Sequence, residues 1–268
     1  MKLVFKKLGS GCPLIILHGL YGSGDNWYSI GKALSQNFEV YLVDLRNHGS
    51  SPHHPDMNFD LMTSDIEEFF IDEKLENACI LGHSMGGKIA MNFTLNNPNK
   101  VIKLVIVDVA LRSYTTMGDY SQEVNTHRKI VDSLAKLDIS GSRSRKDIDL
   151  ELSQYITQKP LRDFLLKNLN RQKSGEFSWT LNIESLNNNL TNLLEGINPG
   201  KRIFGGPVLL ITGKQSNYVT AEDFVQFRKV FPQIRIEEFD TGHWVHAEQP
   251  EKIIDLLVEF LLSESNSG

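Results

Sequence analysis

The sequence predicts an α/β fold, with a mostly parallel central sheet, helices on both faces and one helical insertion. Three observations carry this reading. Short, β-branched apolar runs alternate with helical patterns through both ends of the chain. Polar residues collect where those runs stop, and the alternation lapses between residues 113 and 200. Strand and helix in alternation imply parallel strands joined by crossovers, with ligands expected beyond the strands' C-terminal ends.

The first run, Pro13 to Leu17, ends at His18-Gly19. Trp27 to Leu34 has helical spacing, and Glu39 to Val43 is a second run, ending at Asp44. Phe59 to Phe70 is helical, and Ala78 to Leu81 runs up to Gly82. Met85 to Leu95 is helical, Val101 to Val107 ends at Asp108, and Val208 to Thr212 ends at Gly213. These runs are short, rich in β-branched residues and apolar on both faces, as strands covered on both faces should be. Ile234 to Phe239 alternates instead, which suits an edge strand, and helical patterns at Glu222 to Val230 and Glu251 to Leu262 flank it. The expected division is a core of residues 1–112 and 201–268 with a helical cap of residues 113–200. Val124, Ile130, Val131 and Leu134, and then Leu161, Phe164, Leu165 and Leu169, keep helical spacing there, and no run reads as a buried strand. Ser140 to Arg145 is expected to be a flexible connection and Ser263 to Gly268 a disordered tail.

Of 268 residues, 40% are hydrophobic and 23% charged, which suits a globular chain with a sizeable core. The net charge of −5, without a run of Lys or Arg, offers no electrostatic footprint for nucleic acid. Nothing approaches the ~18 consecutive apolar residues of a membrane span. The first apolar stretch is too short for the core of a signal peptide, so the expected location is cytoplasmic. Two cysteines, Cys12 and Cys79, are too few for a disulfide framework; beside apolar runs, both are expected to be buried thiols. No Cys, His or Asp set has zinc-like spacing and no phosphate-binding G-x-x-x-x-G-K-[ST] loop is present, so no metal and no cofactor are expected.

Gly82-His83-Ser84-Met85-Gly86 is a G-x-S-x-G pattern between a buried strand and an amphipathic helix. A tight strand-to-helix turn strains the serine and lifts its hydroxyl above the sheet, and the flanking glycines remove clashing side chains. A serine hydroxyl is a poor nucleophile until a base takes its proton. Of the 8 histidines, His243 follows the last strand in Thr241-Gly242-His243-Trp244, which brings its loop to the same edge of the sheet. His53 and His54 lie in a Pro-flanked loop, His127 in the insertion and His246 one turn beyond His243. His48 is expected to brace a loop and His83 to point away from Ser84. Acyl transfer also needs two N–H donors for the developing oxyanion. Met85, directly after the serine, supplies one; Leu20, in His18-Gly19-Leu20-Tyr21-Gly22, is expected to supply the other.

His18-Gly19-Leu20, Asp44-Leu45-Arg46-Asn47-His48-Gly49-Ser50-Ser51-Pro52, Gly82-His83-Ser84-Met85-Gly86-Gly87-Lys88 and Gly242-His243-Trp244-Val245-His246-Ala247-Glu248 resemble the α/β-hydrolase fold. In detail they are similar to the bacterial YbfF-type esterases and the abhydrolase-domain-11 proteins. The likeness covers Pro13 to Val109 and Pro207 to Leu262. It implies a serine esterase or thioesterase that cleaves small-molecule esters or acyl thioesters, acyl-CoA among them, through an acyl-enzyme and without a cofactor. Acyl transfer, perhydrolysis or C–C hydrolysis on the same residues, and a ligand-binding protein without turnover, are the rival readings. An intact Ser–His pair argues against the last, and the assembly is left as a monomer or small homo-oligomer.

The acid that orients the base departs from the fold's commonest pattern. Many members supply it after the strand that follows the insertion, where Gly213-Lys214-Gln215-Ser216-Asn217 holds no carboxylate. Glu222 and Asp223 start a helix and are accounted for by capping, while Asp240 is expected to sit too close to His243 in sequence. Asp108 ends the strand next to the nucleophile's and keeps the order Ser, Asp, His; the resemblance implies the same position. The expected catalytic set is therefore Ser84, Asp108 and His243. Asp44, Arg46 and His48 are expected to hold their own loop, and Phe164, Phe177 and Trp179 are candidates either for an acyl pocket or for plain core.

Overall fold

Successive residues of a strand face opposite sides of a sheet, so a strand apolar throughout needs cover on both. The computed structural model, which describes residues 1–115, 121–141 and 144–263, meets that need with two helical layers. Chain order begins β1 (Val4–Leu8), β2 (Cys12–Leu17), α1 (Tyr28–Leu34), β3 (Phe38–Asp44), α2 (Phe59–Asp72), β4 (Ala78–His83), α3 (Met85–Asn96) and β5 (Val101–Val107). The insertion holds α4 (Ser121–Lys136), α5 (Arg145–Leu152), α6 (Lys159–Leu166), β6 (Leu169–Arg171), β7 (Phe177–Trp179) and α7 (Ile183–Leu193). The core resumes with β8 (Val208–Gly213), α8 (Ala221–Val230), β9 (Ile234–Phe239), α9 (Val245–Glu248) and α10 (Pro250–Leu262).

Seven strands form one sheet in the order β1-β3-β2-β4-β5-β8-β9. All neighbours run parallel except β1, which pairs antiparallel with β3. Leu14, Ile16, Leu42 and Ile211 face α1 and α10, packing with Leu34 and Leu257. The alternate positions Ile15, Leu17, Ile80 and Leu210 face the other layer, with Ile66 of α2, Ile89 of α3 and Phe227 of α8. Among the described residues no helix is long and apolar enough to cross a membrane.

Three departures from the sequence reading are local. β1 is unmarked by periodicity because Lys6 and Lys7 lie in an edge strand with one partner. Inside the insertion, β6 and β7 form a hairpin of three-residue strands, too short to show alternation. Cys79 is buried as expected, whereas Cys12 is exposed because it opens β2 at the sheet's rim. Residues 264–268 of the expected tail, and residues 142 and 143 of the expected flexible connection, lie outside the described residues.

Every residue of α3 from Met85 to Leu95 is buried. This includes Lys88, 1% exposed, whose ammonium donates to the carbonyls of Leu111 (3.1 Å) and Arg112 over the Tyr114 ring. Burial and the nearby Arg112 charge pull its pKa down to about 7. Close approach of α3 to the sheet requires glycine. A methyl at Gly86 would strike the carbonyls of Leu17 and His18, and one at Gly82 the carbonyl of Gly86. Gly86→Ala is therefore expected to lose about 2–3 kcal/mol of unfolding free energy in urea. An unchanged midpoint would mean that α3 shifts freely away from β2.

Candidate active site

Ser84 joins β4 to α3 with φ 52° and ψ −119°, a conformation that costs a side-chain-bearing residue about 1–3 kcal/mol. The turn is held from both sides. The Ser84 N–H donates to the Val107 carbonyl (3.0 Å), and the Ser84 carbonyl accepts from Gly87 (2.9 Å) and Lys88 (3.1 Å). Ser84 thus reaches a cavity of about 190 Å³ beyond the C-terminal ends of the strands. His243 lines the same cavity, together with Leu20, Ile130, Leu161, Phe164 and Trp244. Ser84 Oγ has no hydrogen-bond partner among the described residues.

Asp108 directly follows β5, also at positive φ (49°), and is fully buried. His243 Nδ1 donates to Asp108 Oδ2 at 2.7 Å, and the Ser216 hydroxyl donates to the same oxygen. Asp108 Oδ1 accepts the Gly213 N–H at 3.0 Å. Neither rival carboxylate touches His243. Asp223 caps α8 through Thr220 and pairs with Arg112 at 3.0 Å, while Asp240 accepts from Gln215 at 2.9 Å. Ser216, in the loop that holds no carboxylate of its own, serves that of Asp108.

The loop after β2 is shaped by two neutral histidines. His18 Nε2 accepts the Leu45 N–H (3.0 Å) and its Nδ1 donates to the Gly19 carbonyl (2.8 Å). His48 Nδ1 donates to the Arg46 carbonyl (2.8 Å) and Nε2 accepts the Tyr21 N–H (3.3 Å). No acceptor takes the Leu20 N–H among the described residues. Met85 is the first residue of α3, where an N–H has no intrahelical acceptor. Asp44 accepts from Gly24 and Ser50 (both 2.8 Å), and Arg46 pairs with Asp65 (2.7 Å), so these side chains hold their loop.

Other expectations are refined. His83 lies in the cavity wall, where its Nε2 donates to the His243 carbonyl at 3.1 Å and its ring centroid is 4.8 Å from that of His243. Phe164 lines the cavity, 5.7 Å from the Trp244 ring, but Phe177 and Trp179 belong to the β6–β7 hairpin and do not. Tyr218, His127, His246 and Trp27 also line it, and sequence reasoning assigned none of them a part there. Their local motifs are unremarkable; only the long-range packing brings them in. Among the described residues no three His, Cys, Asp or Glu side chains are grouped to hold a metal ion.

A seven-stranded, mostly parallel sheet with a strained serine at the β4–α3 turn and a buried Asp–His pair is the architecture of the α/β hydrolases. The family model for the alpha/beta hydrolase fold matches residues 13–119. The structure resembles a solved marine microorganism esterase with a TM-score of 0.92 and 44% identity, covering 97% of this chain and 99% of that one. The sn-1-specific diacylglycerol lipase ABHD11 of Danio rerio is 34% identical over 261 residues, 96% of this chain and 81% of the relative. Esterase YbfF of Escherichia coli (strain K12) is 30% identical over 252 residues, 93% of this chain and 92% of the relative. The chain belongs to this α/β-hydrolase family of esterases and lipases.

Burial depresses the pKa of His18 and His127 to about 4 and of His48 and His246 to about 3, against an ordinary 6.5. Because the folded values lie below the unfolded one, the unfolded chain takes up these protons first as pH falls. Stability from these groups is complete above pH 6.5 and is lost from there down to about pH 4 for His18 and His127 and about pH 3 for His48 and His246. Together they are expected to lower the unfolding midpoint as the pH falls from 7.5 to 5. Urea unfolding at pH 7.5 and pH 5 measures this; equal midpoints would mean that the histidines are hydrated.

Proposed function

We propose that the chain is a carboxylic ester hydrolase in which Ser84 is the nucleophile, His243 the general base and Asp108 its orienting acid. The observation that carries this is the 2.7 Å bond between His243 Nδ1 and buried Asp108, beside strained Ser84 in one apolar cavity. With Nδ1–H held by the carboxylate, Nε2 is the basic nitrogen. It takes the Ser84 proton as Oγ attacks the ester carbonyl carbon. The Leu20 and Met85 N–H groups receive the oxyanion. His243 then returns the proton to the departing alcohol oxygen, leaving acyl-Ser84. Water attacks that ester, giving its proton to His243; the acid leaves and Ser84 regains its hydrogen.

Residues 113–200 act as the cap, with Ile130, Leu161 and Phe164 offering an apolar wall to the acyl chain. An acyl thioester meets the same attack. The esterase and lipase names of the relatives support the ester reading, and a rate comparison with acyl-CoA tests the thioester one.

Ser84→Ala is expected to lower kcat on p-nitrophenyl butyrate by ~10³-fold or more, and Asp108→Asn by ~10²–10⁴-fold with KM little changed. Asp223→Asn and Asp240→Asn should each remain within a few-fold of wild type. Retained turnover in folded Ser84→Ala would end the covalent mechanism. Across p-nitrophenyl esters, each added methylene that reaches the wall should raise kcat/KM a few-fold, from about 0.8 kcal/mol of burial. A flat series from acetyl to octanoyl would show that the cavity takes no acyl chain.

A further inference from the structure

A catalytic imidazole must keep one orientation through every proton transfer of the cycle, and the Asp108 bond fixes only one of its edges. The face of the ring is occupied too. Tyr218, in the loop between β8 and α8, stacks on His243 with ring centroids 4.0 Å apart and an interplanar angle of 21°. The tyrosine is itself anchored. Its hydroxyl lies 2.8 Å from His127 Nε2 on α4, and the other His127 nitrogen lies 3.3 Å from the Tyr21 hydroxyl in the loop after β2. The Tyr218 carbonyl accepts the Tyr114 hydroxyl at 2.9 Å, and that hydroxyl accepts the Ala110 N–H at 2.9 Å.

We propose that Tyr218 is a positioning residue for His243: its ring is the platform against which the imidazole lies, and His127 of α4 pins that platform. The inference rests on the reading of His243 as the base. An aromatic face attracts a cation more strongly than a neutral ring, so the platform favours the imidazolium formed when Ser84 attacks. The other titratable groups facing His243 are Asp108 after β5, His83 at the end of β4, His127 on α4 and His246 on α9. The three histidines are held neutral by burial, so among these groups Asp108 carries the charge and the tyrosine face adds to its effect.

The test is kcat and KM against pH, with p-nitrophenyl butyrate, for wild type, Tyr218→Leu, Tyr218→Phe, His127→Phe and the double variant Tyr218→Phe/His127→Phe. Tyr218→Leu keeps apolar bulk but removes the π face. Its acid limb of kcat/KM should move about half a pH unit lower, with kcat down about 10-fold and KM within 2-fold. Tyr218→Phe keeps the face and loses the pin; its limb should stay in place while kcat falls a few-fold. His127→Phe should match it, and the double variant should be no worse than either single one. A Tyr218→Leu limb that superimposes on wild type, or pin variants with wild-type kcat, would overturn the proposal. Fluorophosphonate labelling run in parallel separates this from failure of the underlying reading. Wild type that does not label, or Ser84→Ala that does, sinks the serine mechanism, whereas normal labelling with unmoved pH limbs sinks only the platform.

Discussion

The buried carboxylate of Asp108 is the point on which the rest of the structure depends. A carboxyl group with no exposed surface must find donors for its oxygens, because a buried polar group left unpaired costs about 1–3 kcal/mol or more. Its donors come from three places in the chain: the Gly213 N–H at the end of β8, the Ser216 hydroxyl just beyond, and His243 after β9. One side chain therefore ties together the C-terminal ends of three strands. The same need constrains the insertion. The chain leaves the sheet at β5 and must return as β8 directly beside it, with Leu104 opposite Val208, or the Gly213 donor would be lost. Satisfying the carboxylate and assembling the site are one requirement.

Strain at Ser84 is the second constraint, and it is offset locally. The positive-φ turn costs about 1–3 kcal/mol, yet it launches a helix whose apolar residues are fully buried. Burial of Ile89, Met91 and Phe93 alone contributes about 1.5–3 kcal/mol each. That burial is available only because Gly82 and Gly86 let the helix approach the backbone of β2 and β4. The glycines of the motif thus serve stability as well as chemistry. Lys88 fits the same arrangement: its ammonium is capped by the Leu111 and Arg112 carbonyls, which fixes the chain just after Asp108.

The parallel core was legible because the central strands are apolar on both faces and polar residues collect at their C-terminal ends. Signals of this kind are local, and so were those that singled out Ser84 and His243. Asp108 required one more step, the absence of a carboxylate in residues 213–217, read together with its place at a strand end. What stayed hidden depends on long-range packing. Tyr218 and His127 meet across 91 residues and Ser216 reaches Asp108 across 108, with no periodicity or motif to announce either contact. Phe177 and Trp179 were equally plausible as wall or core on composition; only the hairpin that carries them decides that they stay out of the cavity. β1 escaped notice for the opposite reason, since an exposed edge strand with one partner has no hydrophobic pattern to keep.

Five histidines line the cavity, His18, His83, His127, His243 and His246, and their partners distinguish them. His18 and His83 bond backbone carbonyls, His127 bonds tyrosine hydroxyls, and His246 stacks at 4.3 Å on Trp27. Among the described residues, only His243 of the five has a carboxylate partner, and its side chain keeps 20% exposure. Burial holds the other four neutral, since charging any of them would leave a cation without a counter-charge. A neutral imidazole can donate at one nitrogen and accept at the other, which suits it to bridging loop backbones without adding charge. The result is a wall rich in hydrogen bonds but poor in charge. In such surroundings the N–H groups proposed to receive the oxyanion would act on it with little screening. The histidines held neutral by burial thereby set the conditions under which the one paired with Asp108 would act as the proposed base.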